Sequence, residues 1–205
     1  DPPARDQGLG GRLLQRVLAT HSGPLSAWSH GNHPAAARLA QVHHFDRVRD
    51  LWVMRRSTSG ELPRLRPLPD VEIRGYQERD ADALLEINAA AFASHPEQGK
   101  MDRADLDARM SEPWFDPAGL LMAVAPAGSG SGVTLPDGDQ LVGFHWTKRH
   151  SRDLGEVYVV GIAPDAQGKG LGKALTLAGL QHLDRVGVEE VLLYVESDNA
   201  AAIAV

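Results

Sequence analysis

Two features of this 205-residue sequence have residue types and spacing suited to chemistry. The first is Gln167-Gly168-Lys169-Gly170-Leu171-Gly172, which lies between an apolar run and an amphipathic stretch and so reads as a strand-to-helix turn. A helix N-terminus presents amide N–H groups without intrahelical partners, and the macrodipole adds partial positive charge. Glycines let a diphosphate approach those amides, and Lys169 adds ordinary charge attraction. The same glycines would equally permit a tight turn that binds nothing. The motif is not a Walker loop, which ends in Gly-Lys-Ser/Thr, and its glycine spacing differs from the dinucleotide fingerprint. The second feature is Glu156, alone in the apolar run just upstream. An unpaired buried carboxylate is costly. Glu156 is therefore a functional acid or base, or else it sits at an edge or in a structural ion pair.

These groups need elements to hold them, and the sequence supplies the same elements twice. Residues 1–14 (DPPARDQGLGGRLL) align with residues 163–176 (APDAQGKGLGKALT), placing Pro2 on Pro164, Arg5 on Gln167, Gly8 on Gly170, Gly10 on Gly172 and Leu13 on Leu175. Each copy is followed by a helical stretch (13–20 and 175–186), an apolar strand (25–29 and 191–196) and an Ala-rich helix (34–44 and from 199 on). Repetition of the whole order shifts the glycine loop toward an anion site. A strand at 51–55 closes the first unit, which is expected to end at residue 57. The Pro/Arg-rich stretch STSGELPRLRPLPD then reads as a linker up to residue 70.

The second unit, 71–205, is expected to run strand (71–75), helix (79–92), loop (93–101), helix (103–110) and strands at 120–125, 140–147 and 154–162. The Gly/Ser-rich segment 126–138 reads as an exposed, mobile hairpin loop. Period-two alternation places Glu156, Tyr158, Val160 and Ile162 on one face. The fold class is α/β. The chain starts at Asp1 in a loop leading to a helix and stops at Val205 inside an expected helix, so it reads as a fragment truncated at both ends.

Composition narrows the function. The formal net charge of −6 argues against a broad nucleic-acid surface but not against a local anion site. With no cysteine, disulfides, cysteine nucleophiles and Cys-based zinc sites are excluded. Apolar runs are too short and too broken by charge for a transmembrane span, and residues 1–12 lack a signal-peptide core. The histidines His30, His33, His43 and His44 fit no compact zinc spacing. The expectation is a cytoplasmic monomer that binds neither nucleic acid nor membrane.

Gln/Arg-x-x-Gly-x-Gly between a strand and a helix resembles the acyl-CoA loop of the GNAT superfamily of N-acetyltransferases, and both Arg5–Gly10 and Gln167–Gly172 match it. HPEQG (95–99), WFDP (114–117), GFHWTK (143–148), GEVYVVGI (155–162) and LLYVESDN (192–199) are similar to the tandem-domain GNAT enzymes of mycothiol synthesis, over essentially the whole chain. The resemblance implies two GNAT-like units, the first represented only by its C-terminal half. It implies transfer of acetyl from acetyl-CoA, with no metal, to the cysteinyl amine of a cysteine–glucosamine–inositol acceptor, a small thiol-amine. That amine must lose a proton to react, and Glu156 matches the family's substrate-amine carboxylate.

The cofactor residues implied are Gln167, Gly168, Lys169, Gly170, Leu171, Gly172 and Lys173 around the pyrophosphate. The backbone of Val160, Gly161 and Ile162 would pair with the pantetheine arm as an added strand. Asn199, Ala200, Ala201, Ala202, Ile203 and Ala204 would flank the cofactor on its other side. Arg5, Asp6, Gln7, Gly8, Leu9 and Gly10 form the matching loop of the first unit, where no matching base is evident. Glu97, Lys148 and Tyr194 are substrate contacts by resemblance. From the residues alone, Glu97 and Lys148 also read as solvated charges, and Tyr194 as either a core or a hydrogen-bonding residue. The family's tyrosine acid falls immediately after Val205, so the chain alone is expected to be nearly inactive. Acetylation of another small amine or a protein N-terminus, or a non-catalytic CoA sensor, remain the alternatives.

Overall fold

The computed structural model describes residues 7–93 and 98–204 and divides into two units, Asp1–Asp50 and Leu51–Val205. In the first unit, helix α1 spans Leu9–Thr20 and α2 spans Pro34–Val42. Gly8 caps α1 in the left-handed region (φ 72°, ψ 6°), and the Arg12 N–H donates to its carbonyl at 3.1 Å. His33 caps α2: its Nδ1 accepts from the Ala35 N–H at 3.2 Å, and Pro34 occupies the first helical position. The strand expected at 25–29 does not form. A strand exists only with a hydrogen-bonding partner, and no described residue of this unit supplies one.

The second unit is built on a seven-stranded sheet. Its strands are β1 (Leu51–Ser57), β2 (Glu72–Gly75), β3 (Leu120–Ala125), β4 (Val133–Thr134), β5 (Gln140–Arg149), β6 (Leu154–Ile162) and β7 (Glu190–Glu196). The order is β1-β7-β6-β5-β3-β2, with β4 pairing to β5 off that path. Every pairing is antiparallel except β6–β7. Helices α3 (Ala81–Ala91) and α5 (Leu171–Arg185) pack on β5 and β6, while α4 spans Arg103–Met110 and α6 spans Ala200–Ile203. Phe144, Trp146, Leu84, Ile87, Leu120, Met122 and Leu175 fill the core between these layers.

Three expectations change here. Strand 51–57 does not close the first unit; it pairs with β7 from Leu51↔Glu196 to Ser57↔Glu190, so the boundary falls after Asp50. Free ladder groups on the β7 edge need a partner, and the extended run Leu51–Ser57 supplies one through its backbone while its side chains stay exposed. The expected linker is docked: Gln181 Nε2 donates to the Pro63 carbonyl at 3.0 Å, and Leu65 and Leu68 pack against the core. The 126–138 hairpin loop is pinned rather than merely exposed. Leu135 is buried, and the Gly132 N–H donates to the Asp165 carboxylate at 3.1 Å.

Buried polar groups fix the entry to α3. Asp80, fully buried, accepts two bonds from the Arg74 guanidinium, at 2.7 and 2.9 Å, and a third from the Gln77 N–H at 2.8 Å. Charge-assisted pairs of this bidentate kind are strong and directional. At the far end of α3, buried Asn88 donates to the Gln98 carbonyl at 2.7 Å, anchoring the chain beyond residue 97.

Candidate active site

The strand pair β5–β6 positions the site. Lys148 and Glu156 are register partners, so their side chains leave the sheet side by side. One step along β5, from Trp146 to Thr147, is matched by two along β6, from Val159 to Val157. The extra residue, Tyr158, makes a β-bulge. That bulge breaks the alternation expected for this strand: Glu156 and Tyr158 face away from α5, whereas Val160 and Ile162 turn toward it. His145, the partner of Val160, donates from Nδ1 to the Leu175 carbonyl in α5 at 2.7 Å. A Cβ on Gly143, the partner of Ile162, would sit 2.9 Å from Ile162 Cδ1 and 3.0 Å from Leu175 Cδ1.

On the outward face the aromatic rings cluster. Trp114 lies 5.4 Å from Tyr158 and 5.9 Å from Trp146 between ring centroids, and Trp146 lies 5.8 Å from Tyr158. Lys148 Nζ sits 4.7 Å from the Trp114 centroid and 5.2 Å from that of Tyr158, a cation–π arrangement on two rings. Glu156 is buried, and its Oε2 lies 2.6 Å from His150 Nε2. Pro113, Trp114, Lys148, Arg149 and His150 line a cleft beside it. Tyr194 is on the same face of β7, two residues beyond Leu192, the partner of Glu156, and is half exposed.

The parallel ladder between β6 and β7 ends at Glu156↔Leu192. Beyond it the two strands are unpaired, so past Glu156 β6 has no ladder partner on its β7 side among the described residues, although Gln167 Nε2 donates to the Ile162 carbonyl at 3.5 Å. Past β6, Gly168 (φ 77°) and Gly170 (φ 80°) take the left-handed conformation, and Gly170 caps α5. A Cβ at either would meet no protein atom within 4 Å. The space over these amides is thus open, and the N–H groups of the first turn of α5 face it without intrahelical partners. Gln167 and Lys169 are exposed there, Lys173 lies on the first turn, and Leu171 is buried, so it can offer only backbone. Asn199 caps α6, its Oδ1 accepting from the Ala202 N–H at 3.0 Å.

Of the residues singled out by sequence, Lys148 and Glu156 are brought together and Tyr194 is brought to the same face. Glu97, Arg5 and Asp6 lie outside the described residues, while Gln7, Leu9 and Gly10 are exposed at the start of α1. His150 was missed. Its signal was a histidine six residues before a lone strand glutamate across a short turn. Among the described residues no three His, Asp or Glu side chains gather as a metal site, and no helix is long and apolar enough to cross a membrane.

Residues 84–205 match the acetyltransferase (GNAT) family. The whole chain is 56% identical to a mycothiol acetyltransferase of Nocardioides sp. strain JS614, spanning 72% of that protein. The chain belongs to the GNAT acetyltransferases, and within them to the mycothiol acetyltransferase family. The mycothiol acetyltransferase of Salinispora arenicola is 51% identical over 99% of the chain, which spans 64% of it. The chain thus covers about two thirds of these relatives' length. The fold is similar to that of a GCN5-related N-acetyltransferase from Sphaerobacter thermophilus, at a TM-score of 0.70 and 23% identity over 97% of the chain and 62% of that protein.

Proposed function

We propose that this protein transfers acetyl from acetyl-CoA to the cysteinyl amine of the cysteine–glucosamine–inositol precursor of mycothiol, with Glu156 as the base. The supporting observation is the position of Glu156. It is a buried carboxylate at the point where the β6–β7 ladder stops and free strand backbone begins, upstream of an open glycine loop. Acetyl-CoA laid from the α5 N-terminus along β6 would bring its thioester toward that carboxylate. The loop 167–173 would hold the diphosphate, the backbone of Val160–Ile162 the pantetheine arm, and α6 would flank it.

The acceptor arrives largely as an ammonium near neutral pH, and Glu156 takes one proton. The neutral nitrogen attacks the thioester carbonyl carbon, the C–S bond breaks, and the second amine proton neutralises the departing thiolate. Lys148, Tyr194 and Glu97 are the proposed contacts to the polar acceptor. The first unit is read as the C-terminal half of a second GNAT copy, with residues 5–10 as its CoA loop.

The test is steady-state CoA release by the full-length protein with this acceptor and, separately, with other small amines. Release with formation of the N-acetylated thiol-amine is expected. Turnover confined to other amines would overturn the substrate assignment.

A further inference from the structure

Glu156 has two nitrogen-bearing neighbours on its own sheet face, Lys148 and His150, and the fold treats them differently. Lys148, its register partner, has its ammonium drawn over the rings of Trp114 and Tyr158, and no Lys148–Glu156 ion pair forms. His150 instead bonds Glu156 directly: Nε2 lies 2.6 Å from Oε2. A carboxylate oxygen accepts, so Nε2 carries the proton and donates. The Glu156 side chain is 8% exposed and that of His150 is 33% exposed. The other carboxylate oxygen, Oε1, makes no hydrogen bond to a described residue.

The histidine backbone is fixed separately, because its N–H donates to the Leu154 carbonyl at 2.9 Å and so closes the β5–β6 turn. Arg149, the neighbouring charge, turns to the loop itself. Its Nε and Nη2 donate to the Ser151 and Arg152 carbonyls at 3.1 and 3.2 Å. The imidazole is therefore not needed to hold the turn, and among the described residues its one polar contact is the carboxylate.

We propose that His150 is a positioning residue for acetyl transfer. Its Nε2–H fixes the Glu156 carboxylate by one oxygen and leaves the other directed at the incoming amine. This rests on Glu156 being the base. Without the bond, a carboxylate with free rotation about its last torsion would reach the productive geometry in a smaller share of encounters, and the released Oε2 would be open to Lys148. Binding of acetyl-CoA does not involve the pair.

The experiment compares His150→Ala, His150→Leu and His150→Gln with Glu156→Gln and the double variant, each checked by thermal melting. Loss of the donor in the Ala and Leu variants should lower kcat by about 10- to 100-fold with KM for acetyl-CoA unchanged. His150→Gln, whose amide N–H can reach the same oxygen, should recover most of that loss. In the Glu156→Gln background the histidine change should cost almost nothing more, because it acts through that carboxylate. Should the Ala variant unfold, the Leu and Gln pair decides the matter alone. Undiminished kcat in the Leu variant, equal losses in Gln and Leu, or additive losses in the double variant would each overturn the positioning role. Wild-type turnover in Glu156→Gln alone would instead remove the base on which the role rests, so the two failures are distinguishable.

Discussion

The molecule contains one local device twice, in very different surroundings. Gly8 and Gly170 both cap a helix in the left-handed region, at φ 72° and 80°. In each case the residue four further on, Arg12 or Ala174, donates to the glycine carbonyl at 3.1 Å. Beyond that turn the copies diverge. Leu175 is fully buried, whereas its counterpart Leu13 is 70% exposed. Gly179 packs against the His145 ring, whereas its counterpart Val17 is exposed. The turn is set by glycine backbone freedom and recurs wherever the local sequence recurs. The chemistry beside it comes from a sheet with a bulge, a ladder that stops, and a buried carboxylate, and only the second unit has these among its described residues.

The largest expected effect tests how tightly α5 is fitted to its sheet. A Cβ on Gly179 would meet the His145 ring far inside contact distance, and both groups are enclosed. Gly179→Ala should destabilise the second unit by about 3 kcal/mol, at the upper end for overpacking. Val17→Ala at the matching site of α1 should cost much less, because that side chain is exposed. Urea unfolding of both variants measures the contrast, and similar losses would erase it.

Next comes the loop. Gly170→Val should weaken acetyl-CoA binding by about tenfold or more, since a branched side chain strains the left-handed cap and fills the space over the amides. Calorimetry reads this directly, with circular dichroism to confirm the fold. Gly8→Val should cost turnover far less, because the described residues of the first unit include no buried carboxylate. Equal losses from the two changes would mean that both loops serve the reaction alike.

A further effect concerns His145, which has no counterpart in the described part of the first unit. Burial pushes its pKa down to about 4. The folded protein therefore favours the neutral ring, and the unfolded chain takes up a proton first as pH falls below about 6.5. This contribution to stability is complete above that value and fades as pH drops toward 4. It amounts to about 2 kcal/mol between pH 7 and pH 5. His145→Phe should flatten that part of the pH dependence, as followed by urea midpoints at the two pH values. An unchanged slope would show that the ring does not titrate as described.

Much of this was legible in the sequence, for identifiable reasons. The runs Leu120–Ala125 and Leu154–Ile162 and the helix Arg103–Met110 have the expected bounds, because apolar patterning and caps are local signals. The glycine loops were legible because their conformation depends on the glycines themselves. The phase of β6 past Glu156 was not legible, since a bulge at Tyr158 is defined by the partner strand. The His150–Glu156 bond is similarly a product of register across a turn. The strand expected at 25–29 shows the converse: a strand-like sequence without a ladder partner stays irregular.

Acetyl transfer is proposed for the second unit, with Glu156 as its base. The direct measurement is CoA release by Glu156→Gln in the full-length protein across pH, alongside its acetyl-CoA affinity. Affinity should be unchanged, and turnover should fall by about 10²- to 10⁴-fold at neutral pH. Turnover of the variant should also gain more steeply with rising pH than that of the wild type, because solvent must then deprotonate the amine. Near-normal turnover at neutral pH in a folded variant that binds acetyl-CoA would contradict that role for Glu156.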